Sequence, residues 1–78
     1  MKKVEIYSTP SCMYCGAAKD FFKKNNITYT EYNVATDQAK RSEMLEKSGQ
    51  LGVPVIDVAG DIVVGYDEKL LRQLLEVK

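Results

Sequence analysis

The chain has 78 residues, of which 45% are hydrophobic and 28% are charged, a composition typical of folded globular proteins and not of disordered ones. Eleven basic and eleven acidic residues give a formal net charge of zero, which argues against nucleic acid or an anionic membrane as a partner. The length allows one domain, residues 1–78. No apolar run approaches the roughly 20 residues of a membrane span, and the opening segment lacks a signal-peptide apolar region, so we expect a cytoplasmic protein.

The first elements in chain order are a strand and a helix. In "KKVEIYS" the apolar residues Val4 and Ile6 alternate with their neighbours, which predicts a strand that ends near Ser8. From Cys12 the apolar spacing becomes helical. The predicted buried face of this helix consists of Ala18, Phe21 and Phe22. Asn25 and Asn26 are expected to end it.

The next segment, "ITYTEYNV", is rich in β-branched and aromatic residues and predicts a second strand. A strand, a helix and a strand at this spacing predict a right-handed βαβ unit with parallel strands. A second helix is then predicted through "DQAKRSEMLEKS", with Thr36 as N-cap and Gly49 just beyond its end. Its apolar stripe is thin and is expected to consist of Ala39, Met44 and Leu45.

Two strands and a helix complete the chain. "VPVIDV" and "IVVGY" predict an antiparallel hairpin with Gly60 and Asp61 as a two-residue turn. Asp67 is predicted to cap the last helix. The apolar face of that helix comprises Leu70, Leu71, Leu74 and Leu75. The predicted order is βαβαββα, and packing its three helices leaves no long exposed apolar stripe, so we expect a monomer.

The only two cysteines, Cys12 and Cys15, are separated by two residues in "STPSCMYCG". They form a structural crosslink, half of a metal site or a reactive dithiol. A crosslink that closes so small a ring stabilises less than one that closes a long loop. A zinc site takes four ligands, and the chain has neither histidine nor a second cysteine pair, so we expect no metal ion. The pattern therefore favours a redox dithiol.

The predicted elements place Cys12 at or next to the N-cap of the first helix. Free N–H groups of the first turn, expected to be those of Tyr14 and Cys15, and the helix macrodipole favour a thiolate there. Cys15 lies one helical turn further on the same side and is expected to be more buried. We therefore expect Cys12 to attack a disulfide and Cys15 to resolve the mixed disulfide.

A second candidate segment is "GVPVI", in which Pro54 stands at the start of a strand. A cis Val53–Pro54 bond would expose the Val53 backbone so that an extended partner could pair with it.

Four segments, which include the cysteine pair and the proline segment, are similar to those of the glutaredoxins, a branch of the thioredoxin-fold family. They are "VEIYSTPSCMYC", "AKRSEMLEKSG", "GVPVI" and "VGYDEKLL", and together they cover nearly the whole chain. The resemblance implies an α/β, thioredoxin-like fold with a four-stranded mixed sheet flanked by three helices. It implies reduction of protein disulfides or glutathione mixed disulfides, with glutathione as co-substrate and no bound cofactor.

The resemblance also implies site roles. Cys12 is the nucleophile, Cys15 the resolving thiol, Tyr14 a wall of the site and Pro54 the cis-proline beside them. Asp67, at the start of the last helix, is expected to meet the glutathione amine, while nearby N–H groups hold its carboxylate.

The chain departs from the typical glutaredoxin pattern at positions where glutathione carboxylates find cations or free N–H groups. Thr9 stands in place of a lysine and Gly52 in place of a threonine. Gln50 lies near the usual position of a basic residue, and Val64–Gly65 replaces a Gly-Gly pair.

Two alternative functions follow from the resemblance. The segment "VPVIDVAGDIVVGYDEKLL" is similar to that of the NrdH redoxins, which take electrons from thioredoxin reductase and give them to ribonucleotide reductase. Some glutaredoxins instead bind an iron–sulfur cluster between two chains, with Cys12 and an external thiol as the expected ligands here.

Overall fold

The computed structural model describes residues 2–77. Seven elements follow one another in the predicted order βαβαββα. They are β1 (Val4–Ser8), α1 (Met13–Lys24), β2 (Thr30–Asn33), α2 (Gln38–Ser48), β3 (Val55–Val58), β4 (Asp61–Val64) and α3 (Glu68–Leu75). The predicted fold class is confirmed: three helices pack on a four-stranded mixed sheet.

The sheet has the strand order β2-β1-β3-β4. Strand β1 is parallel to β2 and antiparallel to β3, and β4 is antiparallel to β3. The carboxyl ends of β1, β2 and β4 and the amino end of β3 therefore lie at one end of the sheet. We call it the cysteine end, because the loop between β1 and α1 carries Cys12 there.

Side chains that alternate along β1 and β3 divide the interior into two clusters. Helices α1 and α3 cover one face, whose buried residues are Val4, Ile6, Ala18, Phe21, Phe22, Ile56, Val58, Val63 and Leu71. Helix α2 covers the other face, where Tyr7, Val34, Met44 and Val55 are buried. The alternation predicted for β1 and the buried face predicted for α1 are both confirmed.

Helix α2 differs from its prediction in two respects. Its apolar stripe consists of Met44 alone among the expected residues, since Ala39 is exposed and Leu45 is 44% exposed. Its N-cap is Asp37 and not Thr36, because the Asp37 carboxylate accepts a hydrogen bond from the Lys40 N–H at 3.1 Å. The predicted end of the helix is confirmed.

Polar contacts compensate for the thin apolar stripe of α2. Lys47 Nζ lies 2.7 Å from the Tyr7 hydroxyl oxygen and 2.8 Å from Asp57 Oδ2. It also lies 3.4 Å from Glu43 Oε1 and 3.8 Å from Glu5 Oε1. One lysine of α2 is thus bound to β1 and β3 together, which fixes the helix against this face of the sheet.

The hairpin between β3 and β4 turns one residue earlier than predicted. The turn residues are Ala59 and Gly60, with φ values of 50° and 100°, and Asp61 already pairs with Val58. Asp57 Oδ1 accepts a hydrogen bond from the Gly60 N–H at 2.7 Å, which favours this register. Two positive φ values are those of a type I′ turn, whose twist matches that of the strands.

The prediction for α3 is confirmed. Asp67 is its N-cap and accepts a hydrogen bond from the Leu70 N–H at 3.1 Å. Leu71 is buried, and the other three leucines pack against the same cluster. Across residues 2–77, no helix has the length and apolar character needed to cross a bilayer.

Candidate functional site

Cys12 is the N-cap of α1, as the sequence predicts. Its backbone is extended, with φ −83° and ψ 115°, and its N–H donates to the Thr9 carbonyl at 3.3 Å. The Cys12 Sγ accepts a hydrogen bond from the Cys15 N–H at 3.1 Å. The expected second hydrogen bond, from the Tyr14 N–H, is not formed within the described chain. A sulfur in this position lies at the positive end of the helix dipole.

Cys15 lies behind Cys12 and is shut off from solvent. It is 1% exposed, whereas Cys12 is partly exposed, and both sulfurs are free thiols. Burial raises the pKa of Cys15 to about 12, and the hydrogen bond with Cys12 acts in the same direction. Cys15 is therefore a protonated thiol at neutral pH, next to a partly exposed sulfur that a partner can reach.

Pro54 is brought to the cysteine end by strand pairing. Tyr7 near the end of β1 pairs with Val55 at the start of β3, so Pro54 stands level with the residues that lead into the cysteine loop. The Val53–Pro54 peptide bond is cis, as expected, and Pro54 is buried. The Pro54 carbonyl accepts a hydrogen bond from the Gly65 N–H at 2.8 Å.

The backbone of Val53 is not hydrogen-bonded within the described chain, unlike that of Gly52 and Pro54. Its side chain is half-buried against the α2 face of the sheet. Neither its N–H nor its C=O forms a hydrogen bond with any other described residue. A backbone with a free donor and a free acceptor, next to a strand end, can pair with an extended chain.

The remaining predicted site residues are exposed. Tyr14 is 64% exposed and the adjacent Met13 is 82% exposed, so both project from the first turn of α1. Asp67 lies at the cysteine end two residues after Gly65, and its carboxylate is used as the α3 cap. The fold thus brings the loop of Cys12, the Val53–Pro54 segment and the start of α3 to one end of the sheet.

Two features of the structure were missed by sequence reasoning. The Gln50 side-chain amide binds the Gly52 backbone, accepting from its N–H at 2.5 Å and donating to its C=O at 3.1 Å. The signal for this contact in the sequence was Gly52, which follows Gln50 by two residues and directly precedes Val53. The contacts of Lys47 with Tyr7 and Asp57 were also missed. The signal for them was Asp57 itself, because an aspartate inside the apolar segment "VPVIDV" needs a partner of opposite charge.

A metal site and a surface cavity were the other candidate sites within the described residues. Within residues 2–77, no three side chains of histidine, cysteine, aspartate or glutamate are grouped so that they could hold a metal ion. A surface cavity of about 590 Å³ lies at the opposite end of the sheet, where Lys2, Asn26 and Leu75 are among the lining residues. It is therefore remote from the cysteines.

Comparison with known proteins identifies the family. The glutaredoxin family model matches residues 4–63. A glutaredoxin-like 8.6 kDa protein encoded in a rubredoxin operon of Clostridium pasteurianum is 42% identical over 73 residues, which cover 94% of this chain and 97% of that protein. Glutaredoxin 3 of Escherichia coli is 34% identical over 68 residues, covering 87% and 82% of the two chains.

The solved structures agree with this assignment. A mutant of the thioredoxin-like protein BC3987 superimposes with a TM-score of 0.92 and 36% sequence identity, covering 100% of both chains. Since both the family model and the curated relatives span most of the chain, the protein belongs to the glutaredoxin family.

Proposed function

We propose that this protein is a dithiol thiol-disulfide oxidoreductase that uses Cys12 as nucleophile and Cys15 as resolving thiol. One observation carries the proposal: a partly exposed Cys12 Sγ at a helix N-terminus accepts a hydrogen bond from the N–H of a buried Cys15. The first sulfur is accessible and lies at a helix N-terminus, whereas burial raises the pKa of the second and keeps it protonated and away from solvent.

The reaction balances over two exchanges. The Cys12 thiolate attacks one sulfur of a substrate disulfide, a mixed disulfide forms, and the other substrate sulfur leaves as a thiolate. Cys15 then loses its proton to the leaving group or to solvent and attacks Cys12 Sγ, which releases the second substrate thiolate. The substrate gains two electrons, and the protein is left with a Cys12–Cys15 disulfide that a reductant must reopen.

Supporting roles follow from the placement of the other residues. The unpaired Val53 N–H and C=O bind the extended chain that carries the disulfide, and Pro54 lines the site beside the sulfurs. Tyr14 forms an exposed wall next to Cys12. Asp67, at the start of α3, contacts the amine of a glutathione moiety in addition to capping the helix.

The electron donor is glutathione or thioredoxin reductase, and the acceptors are protein disulfides or glutathione mixed disulfides. In the NrdH-like alternative, thioredoxin reductase donates and ribonucleotide reductase accepts. NADPH consumption measured in parallel with glutathione plus glutathione reductase, and with thioredoxin reductase, distinguishes the two donors. We place the protein in the cytoplasm, where thiols are held reduced, and we propose a monomer because the packed helices leave no long exposed apolar stripe.

Single cysteine variants test the mechanism. Cys12→Ser is expected to lower disulfide reduction to the uncatalysed rate of dithiothreitol alone, because the accessible sulfur is lost and the remaining thiol, Cys15, is buried. With substrate and without added reductant, Cys15→Ser is expected to accumulate the mixed disulfide, visible as an added mass on the protein, because resolution is blocked. The two variants control for each other, since each removes one sulfur from the same helix turn. Full activity of the Cys12 variant, or absence of a trapped adduct in the Cys15 variant, would contradict the mechanism.

A further inference from the structure

The segment before Val53 is held by an unusual side-chain contact. Gln50 uses both ends of its amide on one residue, accepting from the Gly52 N–H at 2.5 Å and donating to the Gly52 C=O at 3.1 Å. We call this pair of hydrogen bonds the Gln50 clamp. Ser48, the last residue of α2, supports it: its Oγ lies 2.9 Å from the Gln50 carbonyl oxygen and 3.4 Å from Gln50 Nε2.

Gly52 is matched to the clamp by its lack of a side chain. A Cβ atom built on Gly52 would lie 2.6 Å from Gln50 Oε1, closer than real Cβ contacts allow. The backbone of Gly52 does not itself require glycine, because its φ is not in the left-handed region. The space for the Gln50 amide is therefore what the glycine provides.

The Gln50 clamp makes the backbone of Gly52 unavailable to a ligand and leaves the backbone of Val53 available. Both backbone polar groups of Gly52 are occupied, whereas those of Val53 have no partner in the described part of the chain. A ligand that approaches the cysteine end therefore meets an unpaired N–H and an unpaired C=O at Val53. The Gln50 clamp on the preceding residue holds these two groups in place. Pre-ordering of this kind lowers the entropy lost when an extended chain pairs there.

The same arrangement disfavours a small anionic ligand. A carboxylate of glutathione must displace the Gln50 oxygen to reach the Gly52 N–H, and residues 48–54 contain no lysine or arginine to attract it. A polypeptide brings its own backbone donors and acceptors and also apolar side chains. Leu51 is 45% exposed beside the clamp, and Tyr14 and Met13 are exposed beside Cys12, so apolar contact surface is present on the chain.

We infer that Gln50 is a positioning residue that, through its clamp on Gly52, orders the Val53 backbone and selects polypeptide disulfides over glutathione mixed disulfides. The inference rests on the proposed function, because it concerns the substrate class of the same dithiol site.

Two variants break the clamp from opposite sides. Gln50→Ala removes the amide, and Gly52→Ala displaces it while Gln50 is retained. Steady-state reduction of insulin and of the glutathione–cysteamine mixed disulfide is measured for each, with dithiothreitol as the common reductant. Gln73→Ala, on the exposed side of α3, is the matched control.

Each clamp variant is expected to raise KM for insulin about 5-fold with little change in kcat, since two ordering hydrogen bonds are lost while the sulfurs are untouched. KM for the glutathione mixed disulfide is expected to stay constant or fall. The double variant should show no larger effect than either single one, because both changes remove one contact.

Three outcomes would overturn the inference: an unchanged insulin KM in both clamp variants, an equal rise in KM for both substrates, or full additivity in the double variant. Failure of the proposed function looks different, because the unmodified chain would then accelerate the reduction of neither substrate above the rate of dithiothreitol alone. If Gln50→Ala fails to fold, Gly52→Ala decides by itself, and far-UV circular dichroism identifies that case.

Discussion

Replacing Lys47 by methionine should release α2 from the sheet. The methionine keeps a side chain of similar length and removes the ammonium group, which binds Tyr7 and Asp57 at 2.7 and 2.8 Å. Of the apolar residues of α2, only Met44 is buried in the core, so the helix has little else to hold it. We expect the substitution to lower the free energy of unfolding far more than a surface lysine substitution does.

The size of the loss follows from the carboxylates that remain. Asp57 is 8% exposed and the Glu5 side chain is 13% exposed, so water hydrates neither well. Removal of one partner from a buried ion pair costs about 3–5 kcal/mol, because the other charge is left unpaired. The Lys47 side chain is 28% exposed, so water enters its place and reduces the cost. We expect a loss of about 2–3 kcal/mol, equivalent to a fall in Tm of roughly 10–20 °C for a chain of this size.

Urea unfolding followed by far-UV circular dichroism at pH 7 measures this loss. Lys69→Met, on the exposed surface of α3, is the matched control and should change the free energy of unfolding by less than about 0.5 kcal/mol. The difference between Lys47→Met and the unmodified chain should shrink at pH 3, where unpaired buried carboxylates become protonated and neutral. A loss at pH 7 no larger than that of the control would refute the reasoning.

Two further predictions concern a titrating carboxylate and a helix cap. Hydrogen bonds from Tyr7 and Lys40 lower the pKa of Glu43 from 4.5 to about 2, so its contribution to stability is complete above pH 4.5 and is lost as pH falls towards 2. In unfolding curves recorded from pH 2 to 6, Glu43→Gln should remove most of this acid-dependent loss of the free energy of unfolding. If the variant and the unmodified chain showed the same dependence on pH, Glu43 would not be the group responsible. Asp67→Ala should cost about 1 kcal/mol of stability through loss of the α3 cap, whereas Asp20→Ala on the surface of α1 should cost much less. A rise in KM for the glutathione mixed disulfide in the same Asp67 variant would support the proposed amine contact, and an unchanged KM would restrict Asp67 to capping.

The order of elements and the main core were predictable because both depend on short-range patterns. A helix buries residues spaced three and four apart, so Ala18, Phe21 and Phe22 had to share the buried face of α1. Strand alternation divided β1 between two clusters in the same way. The caps at Cys12 and Asp67 were predictable too, since a cap is a contact with the next turn of the same helix.

The errors fall where local patterns allow more than one outcome. Thr36 and Asp37 both have side chains that can cap α2, and the backbone turn after β2 places Asp37 in the capping position, with its N–H bound to the Asn33 carbonyl. Glycine and aspartate suit several turn registers, and the pairing of Asp61 with Val58 decided this one. Leu45 was predicted to lie on the apolar stripe of α2, although α2 meets the sheet at a face that leaves it exposed.

By itself, the sequence determined the element order, the core of α1 and α3, and the position of Cys12 at a helix start with Cys15 one turn behind. Only the tertiary structure decided which groups surround Lys47, where the Gln50 amide binds, and which backbone groups at the cysteine end remain unpaired. The physical reason is distance along the chain. Lys47 and Tyr7 are 40 residues apart, and their contact exists only because α2 returns across the strand that contains Tyr7. No periodicity or cap within either segment encodes that return, since strand pairing and helix packing set it together.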